Sequence, residues 1–156
     1  MGDNKELIRS FYMAFARLDA AGMKACYSDD IVFFDPVFGL LNGREAGCMW
    51  EMLCKTARDF NLTFDRINAE DSEYYTCHWT ARYTFSKTGR PVTNNVKAYM
   101  RIADGKIIEH SDAFGLYKWS RQALGFTGVL LGWSSFFQKK LQRQARKSLA
   151  DFMQSK

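Results

Sequence analysis

The stretch Asp29-Asp30-Ile31-Val32-Phe33-Phe34-Asp35-Pro36 decides how this chain is read. Side chains of a strand alternate between its faces, so Ile31, Phe33 and Asp35 point the same way. Pro36 brings no amide hydrogen to a ladder, and the strand, read over 30–35, stops there. Near the other end the pattern recurs: Ile108, His110, Asp112 and Phe114 share one parity. A carboxylate among large apolar side chains is costly unless it is paired or put to use. Asp35, His110 and Asp112 are therefore the candidate catalytic residues.

Outward from these two stretches, the periodicity supplies the frame. Leu7, Phe11, Ala14 and Leu18 recur at helical spacing and predict a helix over 4–19, with a short helical segment at 20–28. Gly39, Asn42 and Gly43 mark a loop, and 44–59 is helical with Cys48, Met49, Met52 and Leu53 as its apolar stripe. The period then changes to two. A strand is read at 62–70. In 74–86 the odd-numbered Tyr75, Cys77, Trp79, Ala81, Tyr83 and Phe85 face inward. The strand 92–103 buries Val96, Ala98, Met100 and Ile102; Asp104-Gly105 turns the chain into a last strand at 106–116. Helices at 117–124 and 134–154 close it. Segregated helices and an antiparallel run make an α+β domain. A strongly bent sheet around a long helix leaves a cone, open at one end and apolar within.

The length of 156 residues suits one core, and the 15% aromatic content asks for either a bulky core or an apolar hollow. Tyr12, Phe33, Trp50, Trp79, Tyr83, Met100 and Phe114 are the candidate pocket wall, although any one such residue is more often plain core. Together they favour a flat, apolar, cyclic small molecule. Asp35 has an alternative role, accepting backbone hydrogen bonds in the turn at Pro36. His110 and Asp112 also have one, as a buried polar pair satisfied by neighbouring strands. His78 shares its parity with Thr80, Arg82 and Thr84, which puts it outside.

Other chemistries find no support. Four cysteines without a CxxC and two histidines give no metal-ligand spacing, so no metal is expected. The thiols are read as buried in a reducing, cytoplasmic compartment. There is no phosphate loop, nucleotide fingerprint or Ser–His nucleophile, so any reaction is expected to need no cofactor. The N-terminus is too polar for a secretory signal. The formal net charge is +5, and it resides in a tail rich in Lys139, Lys140, Arg143, Arg146 and Lys147. These residues are not interleaved with aromatics, so no nucleic acid is expected as a partner.

The segments FYMAFARLDAAGMKACYSDDIVFFDPVFG (11–39), NGREA (42–46) and VKAYMRIADGKIIEHSDAFGLYKW (96–119) resemble the NTF2-like superfamily, in its ketosteroid-isomerase and SnoaL-like polyketide-cyclase branch. The resemblance covers about residues 5–118. It implies a cone-shaped curved sheet, mixed or antiparallel, wrapped around N-terminal helices, with an apolar pocket and often a homodimer. Residues 1–118 would form this domain, and 119–156 a helical extension packed on it. The resemblance makes Asp35 the general base and places an acid or base at Asp112. The branch's two oxyanion donors fall on Phe11, beside Tyr12, and on Ala98, so steroid isomerisation as such is not expected. The Arg and Asp of the related epoxide hydrolases fall on Trp79 and Ala81. Two functions follow as expectations. One is a small-molecule enzyme of isomerase, cyclase or lyase type. The other is a non-catalytic protein binding apolar ligands or partners on the same fold.

The extension allows three readings. In the first it packs over the cone as a lid or dimer element. Less favoured, residues 120–152 lie on an anionic membrane surface, as basic amphipathic helices do. Or its basic face is simply solvated.

Overall fold

The computed structural model describes residues 2–156. Six helices and six strands follow in the order α1 (Gly2–Ala16), α2 (Ala20–Ala25), β1 (Tyr27–Asp35), β2 (Gly39–Asn42), α3 (Arg44–Thr56), β3 (Asn61–Ala69), β4 (Tyr74–Thr84), β5 (Pro91–Ala103), β6 (Lys106–Ala113), α4 (Leu116–Leu124), α5 (Phe126–Leu131) and α6 (Ser135–Gln154). The strands form one curved sheet in the order β2-β1-β6-β5-β4-β3. β1 lies parallel to β6 and every other neighbour is antiparallel, so the α+β fold is built on a mixed sheet.

The curvature has local causes. The registers of β1 with β6, β3 with β4 and β5 with β6 each slip at one point. An unpaired residue bends a strand and increases its twist. Inside the curve α1 buries Ile8, Phe11, Tyr12 and Phe15 against Trp50 of α3 and Trp79 of β4. The alternations in β4 and β5 hold: Tyr75, Cys77, Trp79 and Ala81 face the core, as do Val96, Ala98, Met100 and Ile102. The cysteines are all free thiols. Burial pushes Cys54 up to about 11 and Cys77 up to about 12, which leaves both inert at neutral pH.

The sequence reading needs four corrections. Residues 39–42 form a strand, not a loop; Leu41 is buried and Leu40 exposed, an alternation too short to stand out. β1 begins at Tyr27, because that residue pairs with Ile107 before the register slips. Ile108 is not on the face of His110. It is the extra residue where β5 passes from Glu109 to Ile107, and Ile107 is the one buried. Finally, 126–131 is a separate short helix.

The extension returns across the mouth of the curve. Gln142 Nε2 donates to the Pro36 carbonyl at 2.9 Å. Arg146 Nη1 donates to the carbonyls of Phe38 at 2.8 Å and Leu40 at 2.9 Å. α6 thus holds the turn that follows Asp35.

Candidate active site

A cavity of about 480 Å³ lies between the inner face of the sheet, α3, the turn after β1, and helices α4 and α6. Its wall is mainly apolar and includes Trp50, Trp79, Tyr83, Phe114, Trp119 and Leu141. Exposed Thr56, Lys87 and Gln144 form part of its rim. Two carboxylates line it, Asp35 from the end of β1 and Asp112 from β6, and Asn94 from β5 lines it as well.

Asp35 is half-buried, because the chain turns at Pro36 and folds back as β2. One of its oxygens, Oδ1, accepts the backbone N–H groups of Val37 at 2.9 Å and Phe38 at 2.6 Å. Burial outweighs those donors and raises its carboxyl to about 7. The negative charge of Asp112 pushes the same way. A carboxyl group poised there both gives and takes protons at neutral pH.

Asp112 sits at the end of a chain of buried side chains. Trp50 Nε1 donates to the Tyr27 hydroxyl at 2.9 Å. That hydroxyl meets His110 Nδ1 at 2.7 Å, and His110 Nε2 meets Asp112 Oδ1 at 2.9 Å. Trp79 Nε1 donates to the same Oδ1 at 3.3 Å. One arrangement of protons satisfies every member: Tyr27 donates to Nδ1, and the neutral imidazole donates its Nε2–H to Asp112. Burial holds the Tyr27 hydroxyl far above its ordinary value, so it stays a donor. His110 is packed between the rings of Phe11, Phe33 and Trp50, at centroid distances of 5.5, 5.1 and 6.2 Å.

These contacts sort the predicted site residues. Trp50, Trp79, Tyr83 and Phe114 line the cavity, with Asp35 and Asp112. Tyr12, Phe33 and Met100 do not reach it; they are fully buried behind its wall, since strand or helix parity gives a side chain's face and not its depth. His110 also stays behind the wall, 2% exposed, and reaches the cavity only through Asp112. Both of its ring nitrogens are taken up by Tyr27 and Asp112. His78 is half-buried on the other face. Other participants went unpredicted. Asn94 was legible, sharing its parity with Val92 and Val96, and Phe38 and Trp119 lie beside recognised elements. Tyr27 was hidden by the slip in β1. Among the described residues no three His, Cys, Asp or Glu side chains converge as metal ligands would.

The SnoaL-like domain family matches residues 8–110. No curated protein sequence matches the chain. Among solved structures, a putative polyketide cyclase from Silicibacter sp. TM1040 superposes with a TM-score of 0.69 at 20% identity, covering 78% of this chain and 94% of its own. An NTF2-like protein of unknown function from Burkholderia pseudomallei gives 0.67 at 22% identity, covering 79% and 98%. An LEH-like epoxide hydrolase of M. tuberculosis gives 0.65 at 20% identity, covering 87% and 96%. At these identities the likeness establishes the fold alone.

Proposed function

The chain belongs to the SnoaL-like domain family, and from that premise we propose that it is a small-molecule enzyme of isomerase, cyclase or lyase type. The observation that carries this reading is the meeting of Asp35 and Asp112, from neighbouring strands far apart in sequence, in one apolar cavity. The fold's neighbours described as a polyketide cyclase and an epoxide hydrolase support it.

The chemistry follows from the surroundings of each group. A flat apolar carbonyl compound gains by leaving water for a wall of aromatic rings. Asp35, poised near neutrality, removes a proton from the carbon beside the carbonyl and returns it elsewhere on the substrate. Negative charge then builds on the carbonyl oxygen. Asn94, 9% exposed, offers an amide N–H to that oxygen, a role that Phe11 and Ala98 cannot fill. Asp112, fixed by His110 and Trp79, orients a hydroxyl or serves as the second acid or base.

One observation favours the alternative, a non-catalytic binder of apolar ligands. The Val37 and Phe38 amides on Asp35 Oδ1 are the bonds of an ordinary structural turn. The two readings part on a carbon-13 titration of the Asp35 carboxyl, combined with a thermal-shift screen of hydroxylated anthraquinones. A proton shuttle titrates near neutrality and responds to a bound ligand. An Asp35 that titrates near its ordinary value of 3.8 defeats the enzymatic reading, and ligands that still raise the melting temperature then leave the binder.

A further inference from the structure

Helix α5 is built inside out. Its large residues face solvent and its glycines face the protein. A Cβ on Gly128 would stand 2.0 Å from the carbonyl oxygen of Ser120, and one on Gly132 would stand 2.9 Å from the Ser120 Cβ. Only glycines allow α5 to press so closely on α4. The outcome is an exposed run: Phe126 at 77%, Val129, Leu130 and Leu131 at about half, Trp133 at 70% and Phe136 at 74%. Among the described residues, six of the twelve exposed large apolar side chains fall within these eleven positions. Scattered apolar residues on a surface are ordinary; a contiguous patch of this size marks something that binds there.

Charge indicates what that is. Residues 122–138 carry no charged side chain, and cations flank the run: Lys118 and Arg121 before it, Lys139, Lys140 and Arg143 after. On α6, Phe136, Lys140, Arg143 and Lys147 follow one another at spacings of one helical turn, so the apolar patch continues into a basic stripe on the outer side. Lys139, Lys140 and Arg143 are exposed. Six Lys and Arg against one Asp over residues 126–156 account for the whole formal net charge of +5. No helix among the described residues is long and apolar enough to cross a membrane. Such a surface lies on a bilayer, with its rings at the headgroup level and its cations among anionic lipids.

We propose that α5 and the outer face of α6 dock on an anionic phospholipid surface. The proposal is independent of the enzymatic reading, since none of these outer residues lines the cavity.

The test uses the full chain with vesicles of phosphatidylcholine alone and of phosphatidylcholine mixed with phosphatidylglycerol. Co-sedimentation is expected with the mixed vesicles and to fall with added salt. Trp133 is the one exposed tryptophan, the other three being buried, so brominated lipid should quench its fluorescence. Lys139→Gln/Lys140→Gln/Arg143→Gln is expected to weaken partitioning on the order of 100-fold, from the usual contribution of each surface cation. Trp133→Ser/Phe136→Ser is expected to weaken it about tenfold or more with the melting temperature unchanged. No sedimentation with either vesicle, or equal sedimentation of wild type and the charge variant, overturns the proposal. So does a self-association that Trp133→Ser/Phe136→Ser abolishes without any lipid binding, because the patch would then belong to a second copy. Salt dependence and quenching are read on the wild type, so the test stands even if a variant fails to fold.

Discussion

The two carboxylates of the cavity are held in opposite ways. Asp35 hangs from a turn, and its hydrogen bonds come from the backbone of Val37 and Phe38. Asp112 stands in mid-sheet, and its hydrogen bonds come from the side chains of Trp79 and His110. A backbone donor survives almost any substitution of its residue; a side-chain donor disappears with it. The difference separates a carboxyl that burial pushes toward neutrality on a main-chain turn from one pinned in place by neighbouring side chains. Substitution can put that contrast under strain.

The largest effect is expected at His110, on the fixed side. His110→Ala leaves a void among Phe11, Phe33 and Trp50 and removes partners from Tyr27 and Asp112. Unpaired buried groups plus a cavity should cost about 3–5 kcal/mol, read by urea unfolding. Trp79→Phe keeps most of the ring and removes one donor from Asp112, so about 1–2 kcal/mol is expected in the same assay.

Asp35→Asn probes the other side, and its sign depends on pH. The folded carboxyl titrates at about 7, above its ordinary value of 3.8. The folded state therefore binds a proton that the unfolded chain gives up earlier. The stability this lends the wild type is complete below about 4 and is lost as pH rises through about 7. The asparagine variant lacks this loss. Its stability relative to wild type should improve by about 1 kcal/mol between pH 4 and 8, after allowance for the half-burial of the site. A flat difference across that range would erase the contrast between the carboxylates.

Tyr12→Phe sharpens it least. The Tyr12 hydroxyl is fully buried without a hydrogen-bond partner, so removing it should change stability by less than about 0.5 kcal/mol, or increase it slightly. A larger loss would mean that Tyr12 supports Asp112, whose charge helps hold the Tyr12 hydroxyl well above its ordinary value after burial has done most.

The same division explains what could be read from the residues alone. β4 and β5 were legible because long half-buried strands must alternate, and theirs do over 74–84 and 91–103. Asp35 and Asp112 were legible because a carboxylate on an apolar face is expensive wherever it lies. Depth was not legible. Phe33 and Trp50 are both buried aromatics, yet only Trp50 touches the cavity, and nothing in the spacing separates them. Tyr27 escaped because parity cannot be carried across a slipped register. The exposure of the run around α5 was not legible either, because the contacts that turn it outward belong to glycines.

Arg146 and Gln142 bond to the carbonyls of Pro36, Phe38 and Leu40, more than a hundred positions earlier. During synthesis the Asp35 turn emerges long before its clamp. Until the final helix leaves the ribosome, three carbonyl hydrogen bonds around that turn have no partner from α6. The chain therefore completes the Asp35 turn late, although that turn lies in its first quarter.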